Sequence, residues 1–254
     1  KIDGDANDFH NFAVNFARRN DKCTACKILE RGIEKYPYNV DLLADYLAYG
    51  YECDEKIKCK EYYNRLRKTP AAKMTWRGYD FAIDYLLHLV DNASTDKEVE
   101  SLRERIEERT WAYKKRFPNN EDGYLTEAQV FLKFGEENRA IQVLKEAIDK
   151  CAAPKCCLRY ADIMMTKGKY DEVISIALKG ISVSAQEQPS INVPYLFYLS
   201  GLAKDAQIHA DGQNGYSDRE RVLDVFSDYR VAESLFDESR TAYVKNLRNR
   251  VKIL

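Results

Sequence analysis

One short spacing recurs along this chain and limits what it can fold into. Ala25, Leu29, Gly32 and Ile33 stand at the same intervals as Ala140, Leu144, Ala147 and Ile148. A third copy is Val173, Ala177, Gly180 and Ile181. Ala147 and Gly180 are 33 residues apart. Gly32 and Ala147 are 115 apart, roughly three and a half repeats of about 34 residues. A second amphipathic segment precedes each copy: Phe9, Phe12-Ala13 and Phe16; Tyr124, Glu127-Ala128 and Phe131; Cys157, Tyr160-Ala161 and Met164. Large residues at three- and four-residue steps around a small one mark one helix face, with the small residue where a neighbouring helix approaches. The linkers Asn20-Asp21, Phe134-Gly135 and Lys167-Gly168-Lys169 are short, which forces antiparallel helix pairs.

Composition agrees with helices. The 254 residues include only 11 Gly and 6 Pro, few breakers for a turn-rich β fold. The length suits one extended domain or two compact ones. A net charge of −1 removes any global electrostatic drive toward nucleic acid or an anionic membrane. With 45% hydrophobic and 32% charged residues, wholesale disorder is excluded. No apolar run approaches the ~18 residues of a membrane span. Lys1 to Asp5 do not read as a signal peptide, and the opening Lys1 leaves room for an upstream domain or a cleaved leader. Seven Cys, at 23, 26, 53, 59, 151, 156 and 157, make no evident disulfide framework and fit free thiols in a reducing cytoplasm. Asn92-Ala93-Ser94 is a formal glycosylation sequon, which has meaning only in a secreted chain.

The pattern resembles the tetratricopeptide repeat (TPR) family. The resemblance rests on the large-small pairs Phe12-Ala13 and Tyr160-Ala161, on small residues at Ala25, Ala140, Ala147, Gly32 and Gly180, and on the closing Pro37 and Pro118. Other stretches depart from it. In 40–70, Tyr46 and Cys59 fill plausible slots, but Gly50 replaces an aromatic. In 73–118 two long helices carry extra residues, and the helix from Val193 to about His209 also reads long. The expected fold is all-α, a right-handed superhelical solenoid of antiparallel, TPR-like helix pairs. The pairs are 6–37, 39–70, 71–118, 121–152, 154–185 and 190–236, and a capping helix spans 238–254. The helices are placed at 6–18, 21–35, 39–51, 54–68, 71–91, 95–116, 121–134, 137–151, 154–166, 170–184, 191–210, 217–236 and 238–252. Asp54 is read as preceding a helix and Thr95 to Glu98 as a capping box. No independent domain boundary is expected within 1–254. In the last helix Tyr243, Val244, Leu247, Val251 and Leu254 are expected to cover the final pair.

TPR domains hold a peptide or partner helix on a concave surface lined by the first helix of each pair, so the resemblance implies a peptide-binding groove. Stepping off the packing face places His10, Val14, Ala44, Tyr51, Arg77, Phe81, Tyr85, Leu125, Gln129, Leu132, Lys133, Leu158, Asp162, Met165, Leu196 and Ser200 in its lining. This mixed aromatic, aliphatic and polar set suits an extended peptide or amphipathic helix. Most Tyr and Phe are otherwise repeat-core residues. The Lys, Asn and Arg clamp by which chaperone-cofactor TPR domains hold a terminal carboxylate is missing, since His10, Val14 and Ala44 stand at the comparable positions.

No set of catalytic residues is evident. His10, His88 and His209 are too scattered for a metal site. Cys23 and Cys26 have half-site spacing for zinc, yet Cys26 adjoins Ala25 on a helix, and Cys53 or Cys59 of the next pair would have to complete the set. Asp3, Asp5 and Asn7 open like a calcium loop, but Asp8 and Val14 occupy the places that need Gly and Glu. No phosphate-cradling loop, nucleophile elbow or metalloprotease motif is present. The Glu and Arg residues of 98–109 read as a solvated, ion-paired helix face. Arg240, Lys245, Arg248, Arg250 and Lys252 form an acid-free stretch that suits a helix C-terminus better than nucleic acid.

The expected function is a non-catalytic, cytoplasmic protein-binding scaffold without cofactors or membrane contact, nucleic acid being an unlikely partner for this segment. The alternative is a peptide-sensing or regulatory domain of a larger bacterial-type transcription regulator whose DNA-binding part lies upstream.

Overall fold

The computed structural model describes residues 4–184, 192–212, 217–236 and 241–253. Thirteen α-helices and no strand are present among them. They are α1 (Ala6–Arg18), α2 (Lys22–Lys35), α3 (Val40–Gly50), α4 (Lys56–Leu66), α5 (Trp76–Asp91), α6 (Asp96–Arg116), α7 (Glu121–Lys133), α8 (Glu137–Lys150), α9 (Pro154–Thr166), α10 (Tyr170–Ser184), α11 (Val193–Ala210), α12 (Arg219–Leu235) and α13 (Thr241–Ile253). The chain divides into two compact units, 1–130 and 131–254.

Helix starts are set by short polar side chains that satisfy otherwise orphaned backbone N–H groups. Asp5 and Asp8 close a capping box on α1, each carboxylate accepting from the other's N–H at 3.0 and 2.9 Å. Asp5 thus serves as a cap. Asp21, Asn39, Thr75 and Thr95 accept from residues three positions on. Glu98 reaches back to Ser94 N rather than Thr95 N, one residue beyond the expected box. Two expectations are corrected. The helix expected from 71 begins at Trp76, because Ala71–Lys73 is a short 3-10 turn and Thr75 caps α5. Asp54 does not cap α4; Glu55 holds that place without a side-chain bond, and Asp54 sits at φ +60°.

That left-handed residue belongs to a turn that occurs four times among the described residues. Asn20, Asp54, Gly135 and Gly168 all have positive φ between a first and a second helix. In each case the next N–H bonds a carbonyl five residues back: Asp21 to Phe16, Glu55 to Gly50, Glu136 to Phe131 and Lys169 to Met164, at 2.8–3.0 Å. This bond closes the helix and reverses the chain in two residues.

In unit 1, α1 packs on α2 and α3, and α3 packs on α2, α4 and α5, with α5 against α6. First helices α1, α3 and α5 are therefore neighbours. In unit 2, α9 packs on α8, α10 and α11, and α11 on α10 and α12. The small residues mark where these helices meet. A Cβ added to Gly32 would lie 2.9 Å from Phe9 of its own first helix and 3.1 Å from Leu42 of the next. A Cβ on Gly180 would lie 2.8 Å from both Cys157 and Leu196, the same two kinds of neighbour. Ala25, Ala140 and Ala147 are likewise fully buried. At Gly50 the missing side chain leaves room for Tyr46 and Cys59, both buried. Phe12 departs from its expected packing role, since it is 46% exposed and Phe9 fills the core position one turn earlier.

Among the described residues nine tyrosines are buried, but of the phenylalanines only Phe9 and Phe131. Several of these tyrosines place the ring in the core and the hydroxyl on a polar atom at its edge. Tyr46 donates to Glu30 at 2.8 Å, Tyr160 to Glu172 at 3.1 Å and Tyr124 to the Pro118 carbonyl at 3.0 Å. In α13 Leu247 is fully buried in a cluster with Ile208, Val225, Tyr229 and Ala232, so this helix covers the last pair as expected. Val251 and Leu254 lie outside the described side chains. Gly180→Leu is expected to destabilise by about 2–3 kcal/mol through overpacking, against a gain of under ~1 kcal/mol in helix propensity. Urea unfolding followed by circular dichroism checks this.

Candidate functional site

In unit 1 the first helices are laced together by carboxylates. Asp45 of α3 is fully buried and takes both neighbours, His10 Nδ1 from α1 and the Arg77 guanidinium from α5. Asp41 accepts from Thr75 at 2.8 Å, and Asp80 of α5 accepts from Thr126 of α7 at 2.5 Å. The Arg77 guanidinium carbon lies 5.3 Å from the Phe81 ring centre and 5.6 Å from that of Trp76, which is 38% exposed. Arg77 Nε is covered and has no hydrogen-bond partner among the described residues. Burial, then the nearby Asp45 charge, raises the Tyr49 phenol above its ordinary value.

The structure brings His10, Arg77 and Phe81 together around Asp45. Val14 lies one turn along α1 from His10 and is half-buried. Tyr51 forms a second group: it stacks on His88 at 4.8 Å, meets Tyr85 edge-on at 6.4 Å and accepts from Asn92 Nδ2 at 2.8 Å. Gln129 is exposed on α7. In unit 2, Leu132, Leu158 and Met165 are half-buried, Lys133 is exposed, and exposed Asp162 accepts from Arg159 at 3.2 Å. Four residues expected in the lining are core instead. Leu196 is fully buried beside Gly180, and Tyr85 is buried against Tyr63 at 5.1 Å. Ala44 and Ser200 are buried too; Ser200 donates to Asp228 at 2.7 Å.

Sequence reasoning missed Asp45 and Asp84. Asp84 is half-buried one turn from Asp80 and has no hydrogen-bond or ion-pair partner among the described residues. Burial, then the Asp80 charge, pushes its carboxyl up to about 6. Neither residue stands out in a chain with 41 acids. Only their placement on first helices distinguishes them.

The chain matches no family model and no curated protein. Among solved structures it is similar to a thermophilic TPR protein from Thermus thermophilus. The TM-score is 0.57 at 17% identity, over 75% of this chain and 96% of that one. Human IFIT1, solved as a dimer with m7Gppp-AAAA, aligns at TM-score 0.42 and 12% identity, over 99% of this chain and 66% of that one. The first likeness shows the fold: an all-α, TPR-like helical repeat.

Other candidate groups are accounted for within the fold. Cys53 meets Cys23 and Cys26 across the first two pairs, and burial pushes the Cys53 and Cys59 thiols up to about 11 and Cys26 higher still. Such thiols stay protonated near neutrality, which disfavours metal ligation and nucleophilic attack. Among the described residues no three His, Cys, Asp or Glu side chains are arranged to hold a metal, and no helix is long and apolar enough to cross a membrane. The basic α13 spends charge internally: Arg250 reaches Asp205 at 2.7 Å and Arg248 reaches Glu233 at 2.8 Å. Arg240 lies outside the described residues.

Removing the shared acceptor with Asp45→Ala strands Arg77 in a half-buried position. The expected cost is about 2 kcal/mol, below the range for fully buried pairs because Arg77 and His10 keep some solvent. Asp84 carries a pH prediction. Its folded-state value lies above the ordinary 3.8, so the folded chain binds the proton more tightly than the unfolded one. Its contribution is most favourable in acid and is lost as pH rises through about 6. Asp84→Asn is therefore expected to raise stability at pH 7–8 by on the order of 2 kcal/mol, the gain vanishing below pH ~4. Melting midpoints of both proteins across pH check the difference.

Proposed function

We propose that this chain is a non-catalytic scaffold that holds a linear peptide or an amphipathic partner helix on the surface of its first helices. The observation that carries the reading is the arrangement on α1, α3 and α5. There Asp45 fixes His10 and Arg77 while Val14, Phe81 and Trp76 keep apolar area open beside them. A buried, satisfied carboxylate pre-orients the Arg77 and Phe81 side chains, so less conformational freedom is lost on binding. Among the described residues two polar groups there lack partners, Arg77 Nε and the Asp84 carboxylate. A Lys or Arg of a bound segment would satisfy the half-buried Asp84 carboxylate. Gln129 belongs to the same proposed surface, and Tyr51 extends it through its aromatic group. In unit 2 the corresponding positions are Leu132, Lys133, Leu158, Asp162 and Met165. Thiols such as Cys23, Cys26, Cys53 and Cys59, which form no disulfide, support a reducing, cytoplasmic setting.

Site-specific photo-crosslinking tests the reading. A benzophenone side chain at Val14 or Gln129 is expected to capture one linear segment of a protein partner, mappable by mass spectrometry, while the same probe at the outer Ile57 does not. Phe81→Ala and Asp84→Asn should each weaken capture about tenfold. Equal capture at all positions, or capture indifferent to both substitutions, sinks the assignment.

A further inference from the structure

The α5–α6 hairpin is longer than the pairs before it, with 16 and 21 residues against 11 in α4. A long α6 cannot follow a short α4 along its whole length. Between α4, α5 and α6 lies an open cleft of about 630 Å³. Its walls are cationic. Lys60 stands on α4 and Arg67 caps its C-terminal end, and Lys97 and Arg105 stand on α6. Lys60, Arg67 and Lys97 are exposed and have no ion pair among the described residues. The one acid, Glu98, is engaged by the Ser94 N–H at 3.1 Å. Tyr63 and Tyr85 form the base of the cleft.

These cations are a local excess in a chain of net charge −1, and they share one recess with an aromatic floor. Four cations against one acid leave the recess with a net positive charge, which favours a negatively charged occupant. The floor decides which kind. Tyr63 is 3% and Tyr85 4% exposed, and the two rings lie 5.1 Å apart. The Arg105 and Arg109 guanidinium groups sit 5.4 and 5.7 Å from the Tyr63 ring centre. With that ring occupied, the cleft offers no stacking platform of the kind single-stranded nucleic acid uses. An acidic protein segment needs none; its carboxylates meet the walls while an apolar side chain lies against the partly exposed Leu89.

We propose that the α4–α6 cleft is a second binding site, separate from the first-helix surface, and that it takes an acidic linear protein segment. The probe is a labelled synthetic peptide of about 12 residues, half Asp or Glu with a central Leu, titrated by fluorescence anisotropy onto the full chain. Saturable binding is expected that weakens steeply between low and physiological salt. Lys60→Glu with Arg67→Glu should weaken it at least about tenfold. Both positions are exposed, so an unchanged melting midpoint shows the variant folded. Lys97→Gln provides a milder second variant and should weaken binding about threefold. Phe81→Ala, on the other surface, should leave the probe's affinity unchanged, which separates this site from the scaffold reading. No saturable binding, equal binding by the charge-reversed variant, or loss of binding in Phe81→Ala would each overturn the proposal. So would cleft-dependent binding of an oligothymidylate in place of the peptide.

Discussion

Everything in the stacking depends on how closely three helices approach one small residue. At Gly32 and at Gly180 the backbone of a second helix lies against its own first helix and against the next one at once. A side chain there would have to displace core atoms on two sides. Packed interiors have no spare volume to absorb that. Close approach sets the spacing of successive pairs, and the spacing brings the first helices within hydrogen-bonding reach of each other.

That reach is used by carboxylates. Asp45 holds His10 and Arg77, Asp41 holds Thr75 and Asp80 holds Thr126. Buried charge is costly to leave unpaired, so any register that parted Asp45 from His10 and Arg77 is disfavoured. Second helices meet the tyrosines of first helices in the same way, through Glu30 and Glu172. A ring that fills core and a hydroxyl that finds a carboxylate suit tyrosine to the places of Tyr46 and Tyr160. The same economy appears in α13, where Arg248 and Arg250 close the end of unit 2 on Glu233 and Asp205 and leave less charge for an external partner.

Much of the fold was legible because periodicity and breakers are local signals. The ends of α1, α6, α9 and α10 fall within one residue of where the apolar period stops. What failed was also local in cause. Asp54 looks like a helix cap, but it carries the left-handed turn that Asn20, Gly135 and Gly168 carry elsewhere. Its spacing of 34 residues from Asn20 was the missed signal for the weak second repeat. Phe12 looked like the core member of its pair, yet helix rotation gives that place to Phe9. The lining was harder to read. Leu196 and Tyr85 lie on the expected faces but are consumed by packing, because a residue's face does not reveal how near the next helix comes.

The sequence alone determined an all-α chain of short-linked helix pairs, since apolar period, small residues and turn formers act within a few residues of one another. Only the tertiary structure decided which acids matter. Asp45 is a shared acceptor, and Asp84 is a carboxylate held near 6 by burial. Both depend on atoms brought from distant helices, and burial, the quantity that perturbs a carboxylate, does not exist until those helices pack.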